Sequence, residues 1–369
     1  MAPTKNSIQA LLPEDLLLID NPERIATLWS SYGYIYRLRV RSASTNASSS
    51  VILKSIHPPS EPHPSESHLR KLLSYRVERW FYRNNSSSLQ ERSPEARLAR
   101  TFPINADDDG SLLLEDLSLE FPYPARGGLG LEPTRCVLRW LANFHSCFWN
   151  AHLRREPSLP LIPPPLQADE TVHRSGVWAQ GTYWYLDTRK EEVEQIDEEE
   201  HDWLLPWVDK VNNAVKSRAR SHGTLLHGDV KGANILFTHS PWSRPEELSD
   251  LRCALYDLQY VGVGLPTHDL VYFIGTTVSS SLLKSREHEQ ALLDYYYGIL
   301  SQRLASGPSG DRSAIYERER FIKDWELSLV DWYRFMAGWG FWGNDSWVEA
   351  RVREIIKDWS AGGWDSVAV

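Results

Sequence analysis

Residues Leu225 to Phe237 read LLHGDVKGANILF, and residues Ala254 to Tyr260 read ALYDLQY. In the first stretch, the polar residues His227, Gly228, Asp229, Lys231 and Asn234 run directly into the apolar Ile235, Leu236 and Phe237. The second is an apolar, strand-like segment that ends on a carboxylate, Asp257. Phosphoryl transfer asks little of a protein: a group to orient the attacking hydroxyl, oxygen ligands for Mg2+, and a cation on the phosphates. Asp229, Lys231, Asn234 and, across a hairpin, Asp257 supply that set in order. They imply an ATP-dependent kinase acting on a small-molecule hydroxyl.

Each residue has a plainer reading. Asp229 is either the base that accepts the acceptor's proton or a turn residue capping the next segment of chain. Asn234 and Asp257 offer one neutral and one anionic oxygen, the ligand type a hard cation takes; Asn234 alone would equally end a turn before a strand. Asp257 beside Ala254, Leu255 and Leu258 is costly to bury without a partner, and a bound cation is the natural one. Lys231 neutralises the transferring phosphate or is a solvated loop lysine. His227 reads as support for the loop, and Gln259 as a neighbour of the metal shell or of the loop.

Working outward, Val51 to Ile56 (VILKSI) places Lys54 inside an apolar strand, where its ammonium needs an anion. Glu78, in a helix running from about Glu66 to Arg83, is the candidate to hold it against the nucleotide phosphates; on its own it reads as a solvated carboxylate. Ser111 to Ser118 (SLLLEDLS) is a buried strand leaving into a turn. There the backbone N–H and C=O groups of Glu115 to Leu117 face an adenine edge. No G-x-x-x-x-G-K-[ST] occurs, which excludes a P-loop enzyme. Only Ser30-Ser31-Tyr32-Gly33 stands where a phosphate-covering turn is needed.

The rest of the chain sets the frame. Its 369 residues suffice for two lobes. A composition of 41% hydrophobic and 24% charged residues argues against disorder. A formal charge of −9, with no basic patch, sets nucleic-acid binding aside. Cys136, Cys147 and Cys253 are widely spaced, show no metal spacing and read as reduced core residues. No apolar run suits a signal peptide or a membrane span, so cytoplasm is the expected location. The oligomeric state is open.

Before position 117 the pattern reads as helices over residues 7–31 and a period-two strand at YGYIYRLRV. The strand VILKSI, the helix with stripe Leu69, Leu72, Leu73, Val77, Trp80 and Phe81, a polar loop over 84–96 and SLLLEDLS complete it. After it come a helix over 134–150, a rigid Pro160–Pro165 connector, an acidic helix EEVEQIDEEEHDWL, and helical periods at 281–305, 313–342 and 345–359 around a loop ASGPSGDRS. The expectation is α+β: a nucleotide-binding N-terminal lobe over 1–117, and a mainly helical lobe over 118–369 carrying the catalytic loop and acceptor site. Trp178, Tyr183, Trp184, Trp325, Trp332, Tyr333, Trp339 and Trp342, with Glu326 and Asp331, form either an aromatic acceptor pocket with carboxylates or core between helices.

HGDVKGANILF followed by ALYDLQYVGVGLPTHDLVYF resembles the aminoglycoside phosphotransferase and choline kinase-like superfamily, particularly its ecdysteroid kinase-like branch. The resemblance is specific at 225–275 and extends over about 30–345. It implies a bilobal protein-kinase-like fold with ATP in the cleft: a small antiparallel-sheet lobe with one helix, and a larger helical lobe. By motif match it implies Asp229 as base, Asn234 and Asp257 on Mg2+, Lys54 on the α/β-phosphates with Glu78 beside it, and Asp269 bracing the catalytic loop. Asp257-Leu258-Gln259 departs from the D-F-G of protein kinases. Only eleven residues separate Asp257 from Asp269, too few for a long activation segment. Two other readings stay open: an inactive nucleotide-binding scaffold and, given Lys231, a protein kinase.

Overall fold

A computed structural model describes residues 4–105, 110–153, 158–169, 175–306 and 316–367. It is α+β, with an antiparallel sheet at the N-terminal end and a larger, mainly helical region after it. The sheet is built on a long hairpin, β3 (Gly33–Ser42) with β4 (Ser48–Ile56). Its register pairs Ile35 with Lys54 and Arg37 with Ile52, so these four side chains share one face. The strands β1 (Leu16–Leu18) and β2 (Glu23–Thr27) lie along β3, while β5 (Thr101–Phe102) and β6 (Leu112–Glu115) extend the sheet beyond β4.

The alternation read from YGYIYRLRV holds: Tyr36, Leu38 and Val40 point to the opposite face, with Val51, Leu53 and Leu113. Helix α1 (Lys5–Leu11) covers that face, capped by Thr4, which accepts a hydrogen bond from Ser7 N. It seats Ile8 fully buried in this layer, a burial that contributes about 1.5–3 kcal/mol.

Helices over all of residues 7–31 are not what forms. Beyond α1 the chain becomes β1 and β2, and every residue of β2 is exposed. No apolar period marks it; backbone pairing with β3 holds it, and that partner lies elsewhere in the sequence. The polar 84–96 stretch likewise contains a helix, α3 (Ser86–Arg92), which comes after α2 (Glu66–Asn84) and buries one apolar side chain, Leu89. One buried leucine in a polar run leaves no legible period.

Helix α2 matches its reading. Ser65 caps it by accepting from His68 N, and Leu73, Val77 and Phe81 bury one stripe. The helical region starts after the short β7 (Tyr123–Pro124) with α4 (Leu131–Cys147), whose Trp140 stacks on Phe144 with centroids 5.1 Å apart. The proline connector is extended at β8 (Leu161–Ile162), parallel to β9 (Val177–Trp178), and again at Pro164 (φ −49°, ψ 144°) before a short turn from Pro165. The acidic helix is two short ones, α5 (Lys190–Glu194) and α6 (Glu198–His201). Buried Ile196 interrupts them, and Asp197 caps the second by accepting from the N–H groups of Glu199 and Glu200.

Next come α7 (Val208–His222), β10 (Thr224–Leu226), β11 (Ile235–Phe237), β12 (Cys253–Leu255) and β13 (Gly262–Gly264). The helices α8 (Pro266–Thr277), α9 (Arg286–Ala305), α10 (Arg318–Trp339) and α11 (Asp345–Asp358) complete the core. The reading of ASGPSGDRS as a loop falls largely on 307–315, outside the described residues, while the helix read over 313–342 is α10. Among the described residues no helix is long and apolar enough to cross a membrane.

Candidate active site

The loop after β10 is shaped by a buried carboxylate from another element. Asp269, in the first turn of α8, accepts from His227 N at 2.7 Å and Gly228 N at 2.9 Å. It also meets His145 Nε2 at 3.0 Å, and His145 Nδ1 lies 2.7 Å from the Tyr296 hydroxyl. Gly228 takes a φ of +83°, a conformation glycine adopts without steric cost. A Cβ there would lie 2.2 Å from the Tyr260 carbonyl oxygen. Gly228→Ala is therefore expected to cost about 1–3 kcal/mol from backbone strain alone, read as a lower urea midpoint; an unchanged midpoint would show that the turn relaxes.

This turn delivers Asp229 into a nearly closed site. Its Oδ2 accepts from Lys231 Nζ and Asn234 Nδ2, both at 3.0 Å, while Oδ1 is buried and makes no hydrogen bond among the described residues, with the Tyr272 side chain near the same carboxylate. Burial pushes the Asp229 carboxyl above its ordinary value, against the pull of Lys231. Asn234 also donates to the Asp229 carbonyl at 2.9 Å. Burial pulls the His227 imidazole down. A neutral ring suits its contacts: Nε2 lies 3.1 Å from the Tyr256 carbonyl oxygen, and Nδ1 accepts from Asp229 N at 3.3 Å. His227 supports the loop, as read.

The β11–β12 ladder pairs Ile235 with Leu255, and Tyr256 N donates to the Asn234 carbonyl. That ladder brings Asn234 and Asp257 to one end of the ribbon. Asp257 has a φ of +68° and a side chain 32% exposed. Its Oδ1 lies 3.1 Å from Lys54 Nζ, which also contacts Glu78 Oε2 at 2.6 Å. Glu78 Oε1 in turn accepts from Leu258 N at 3.2 Å. Burial works against the Lys54 charge, yet Asp257 and Glu78 outweigh it and hold the ammonium above its ordinary value. Burial likewise raises the Asp257 carboxyl, but Lys54, with Lys231 behind it, brings the net shift below the usual carboxylate value.

Lys54, Glu78 and Asp257 therefore form one linked group and Asp229, Lys231 and Asn234 a second, brought side by side by the β11–β12 ribbon. Their donor set fits magnesium. The Asn234 amide spends its nitrogen on Asp229, which leaves its carbonyl oxygen, and Asp257 contributes carboxylate oxygen. Among the described residues no three His, Cys, Asp or Glu side chains converge as a protein-only metal cage. Two oxygen donors with room for phosphate oxygens and water is the arrangement Mg2+ takes in phosphoryl-transfer sites.

Other assignments divide. The Glu115 N–H is already spent on the Arg100 carbonyl at 2.8 Å, so Glu115 retains only its C=O for a base edge. Its side chain is held by Arg97 at 2.8 Å. The Leu117 carbonyl closes the next turn with Glu120 N and Phe121 N, which engages the acceptor and not the N–H. Gln259 does not reach the metal donors: its Oε1 accepts from Ser74 Oγ at 3.1 Å and its carbonyl from Trp178 Nε1 at 2.8 Å. Ser30 and Ser31 both have positive φ, and Lys71 Nζ donates to Ser30 Oγ.

Most of the aromatic set is core. Trp178, Trp184, Trp325, Trp332 and Tyr333 are fully buried. Asp331 pairs with Arg334 at 2.7 Å, and burial raises Glu326 at a separate place near Arg351 and Trp359. Tyr183 is the member at the site: Lys231 Nζ sits 6.0 Å from its ring centroid, and Tyr260 and Tyr272 pack on it at 5.7 and 5.6 Å. The sequence reading missed a buried carboxylate, Asp116, which accepts from Arg37 Nε at 2.9 Å and Ser50 Oγ at 2.7 Å beside the Glu115–Leu117 turn. The signal was the alternation that put Arg37 on the Lys54 face of the sheet.

A sequence model of the ecdysteroid kinase-like family matches residues 31–306. Comparison with curated proteins finds no match. Among solved structures, the chain is similar to an ethanolamine kinase of Plasmodium vivax, with 12% identity, 93% of this chain and 82% of that one covered, and a TM-score of 0.41. It is also similar to a choline kinase from Cryptosporidium parvum Iowa II, with 11% identity, 98% and 96% coverage and a TM-score of 0.49.

Proposed function

The chain belongs to the ecdysteroid kinase-like family, and from that premise we propose that it moves the γ-phosphate of ATP onto a hydroxyl of a small molecule. The observation that carries this reading is the buried Asp229 carboxylate, whose Oδ1 makes no hydrogen bond among the described residues, held by Asn234 beside the linked Lys54, Glu78 and Asp257. An acceptor hydroxyl is the donor that oxygen lacks. Asp229 would orient the hydroxyl and take its proton as the bond to phosphorus forms. A raised pKa suits a base that must also release the proton afterwards.

Lys54, held in place by Glu78, would contact the α/β-phosphates, and Lys231 would neutralise the transferring group. Asn234 and Asp257 would hold Mg2+, whose charge stabilises the phosphate oxygens. The Glu115 carbonyl and Leu117 N–H would take the adenine edge. We place the division between nucleotide and acceptor lobes at 117/118, and the protein in the cytoplasm. With Asp331 paired to Arg334 and Glu326 set apart near Arg351, these two carboxylates give no support to a cationic alcohol as the acceptor.

The test is incubation of the whole protein with Mg-ATP and a fractionated cell extract, then mass spectrometry. The expected result is one metabolite gaining a phosphate as ADP appears. A broad panel yielding no phosphorylated product would favour an inactive nucleotide-binding scaffold, and transfer to a peptide library would favour a protein kinase.

A further inference from the structure

Cys136 and Cys253 are 117 positions apart and read as isolated core thiols, yet they meet. Cys253 Sγ lies 3.6 Å from the Cys136 carbonyl oxygen, and Cys136 Sγ donates to the Leu251 carbonyl at 3.3 Å. Arg139 Nη2 donates to the same carbonyl at 3.2 Å. Beside them a cavity of about 300 Å³ is lined by Cys136, Arg135, Arg139, Leu251, Tyr295 and Glu132, the last paired with Arg135 at 3.1 Å. Cys253 does not line it. One thiol therefore faces a space that admits a small molecule, between two guanidinium groups, and the other stands behind it.

We infer that Cys136 and Cys253 are a peroxide-reactive dithiol, with Cys136 the thiol attacked first and Cys253 the one that resolves it into a disulfide. The Cys136 thiolate would attack one oxygen of hydrogen peroxide, breaking the O–O bond. A sulfenic acid forms, and the departing hydroxide takes a proton to become water. The Cys253 thiol would then attack the sulfenic sulfur; the S–S bond forms, the S–O bond breaks, and a second water leaves. In sum, two thiols and one peroxide give one disulfide and two waters.

The roles come from position. Hydrogen bonding with Cys253 lowers the Cys136 thiol, against burial and with help from Arg139, whereas burial pushes the Cys253 thiol well above its ordinary value. A nearby cation marks the reactive cysteine of a pair, and Cys136, though 4% exposed, is the one of the two that borders the cavity. The disulfide would tie α4 to β12, the strand that leads into Asp257. Cys147, buried and distant from the cavity lining, is the internal control.

The test treats the folded full-length protein with hydrogen peroxide, digests it without reduction and maps the peptides by mass spectrometry. The expected result is a Cys136–Cys253 linked pair, lighter by two hydrogen atoms and reversed by dithiothreitol, with Cys147 still a thiol. In Cys253→Ser the reaction should stop at a sulfenic acid on Cys136, trapped by dimedone. Unchanged thiols in the wild-type chain, oxidation reaching Cys147 equally, or sulfinic acid on Cys136 with Cys253 free would each overturn the proposal. The wild-type arm decides the matter if the serine variant does not fold.

Discussion

Asp229→Asn is expected to lower turnover by about 10²–10⁴-fold, the usual contribution of a positioned general base, with nucleotide affinity essentially unchanged. The amide keeps the shape of the carboxylate and can still accept from Asn234 Nδ2, so the loop should hold its form. What it loses is the ability to take a proton at Oδ1. The same variant should be more stable than the wild type at neutral pH when magnesium and nucleotide are absent. The sign is set by the raised folded-state pKa. A carboxyl raised on folding contributes stability that is complete below the unfolded value of 3.8 and is lost as pH rises through the folded value. At neutral pH the ionised Asp229 is therefore a cost, which asparagine removes, and the gain should vanish in acid. Urea unfolding at neutral and acid pH checks the stability; steady-state kinetics with a working acceptor check the rate. Turnover within a few-fold of wild type would remove Asp229 as base.

The second large effect is on the buried ion pair. Lys54 and Glu78 are 6% and 2% exposed, so removing the cation leaves a carboxylate in a low-dielectric site. Lys54→Met is expected to destabilise the protein by about 3–5 kcal/mol, the usual cost of breaking a buried pair from one side. Burial already raises Glu78, and without Lys54 it should take up a proton and soften the loss as pH falls. Lys54→Met with Glu78→Gln should recover much of the stability, because the charge left alone is then Asp257, which is 32% exposed, and not the fully buried Glu78. Nucleotide affinity should stay low in both variants if Lys54 contacts the phosphates. Recovered stability with recovered affinity would separate the pair's structural role from nucleotide binding. A single-variant loss under about 1 kcal/mol, the range of exposed pairs, would mean water reaches Glu78.

How much of this was legible depends on the range of each interaction. The strand at YGYIYRLRV, the helix with the Leu73, Val77 and Phe81 stripe, and the loop from His227 to Asn234 all declare themselves locally. They do so through a two-residue period, a helical stripe and a dense polar run before an apolar one. Lys54 was legible because an ammonium in an apolar strand demands a partner, while Glu78, which alone reads as a solvated carboxylate, was named as that partner by the phosphoryl-transfer reading. By contrast, β2 has no buried residue, and α3 has one buried leucine. Neither carries a pattern, because their stability comes from contact with β3 and with neighbouring helices.

The acceptor side was the least legible. A tryptophan lining a pocket and one packed between helices look alike in sequence, since both satisfy the same preference for leaving water. Trp325 and Trp332 went to the core, while Tyr183 came beside Lys231.

The chain by itself determined its chemistry-bearing residues and the two kinds of secondary structure that present them, because a charge in an apolar run and the period of a strand or helix are local properties. The tertiary structure decided the rest. It spent the Glu115 N–H on Arg100, turned Gln259 toward Ser74, set Asp116 against Arg37, and brought Cys136 against Cys253. Each of those contacts joins distant segments, and only the packed core, by excluding water around them, chose which polar groups would meet.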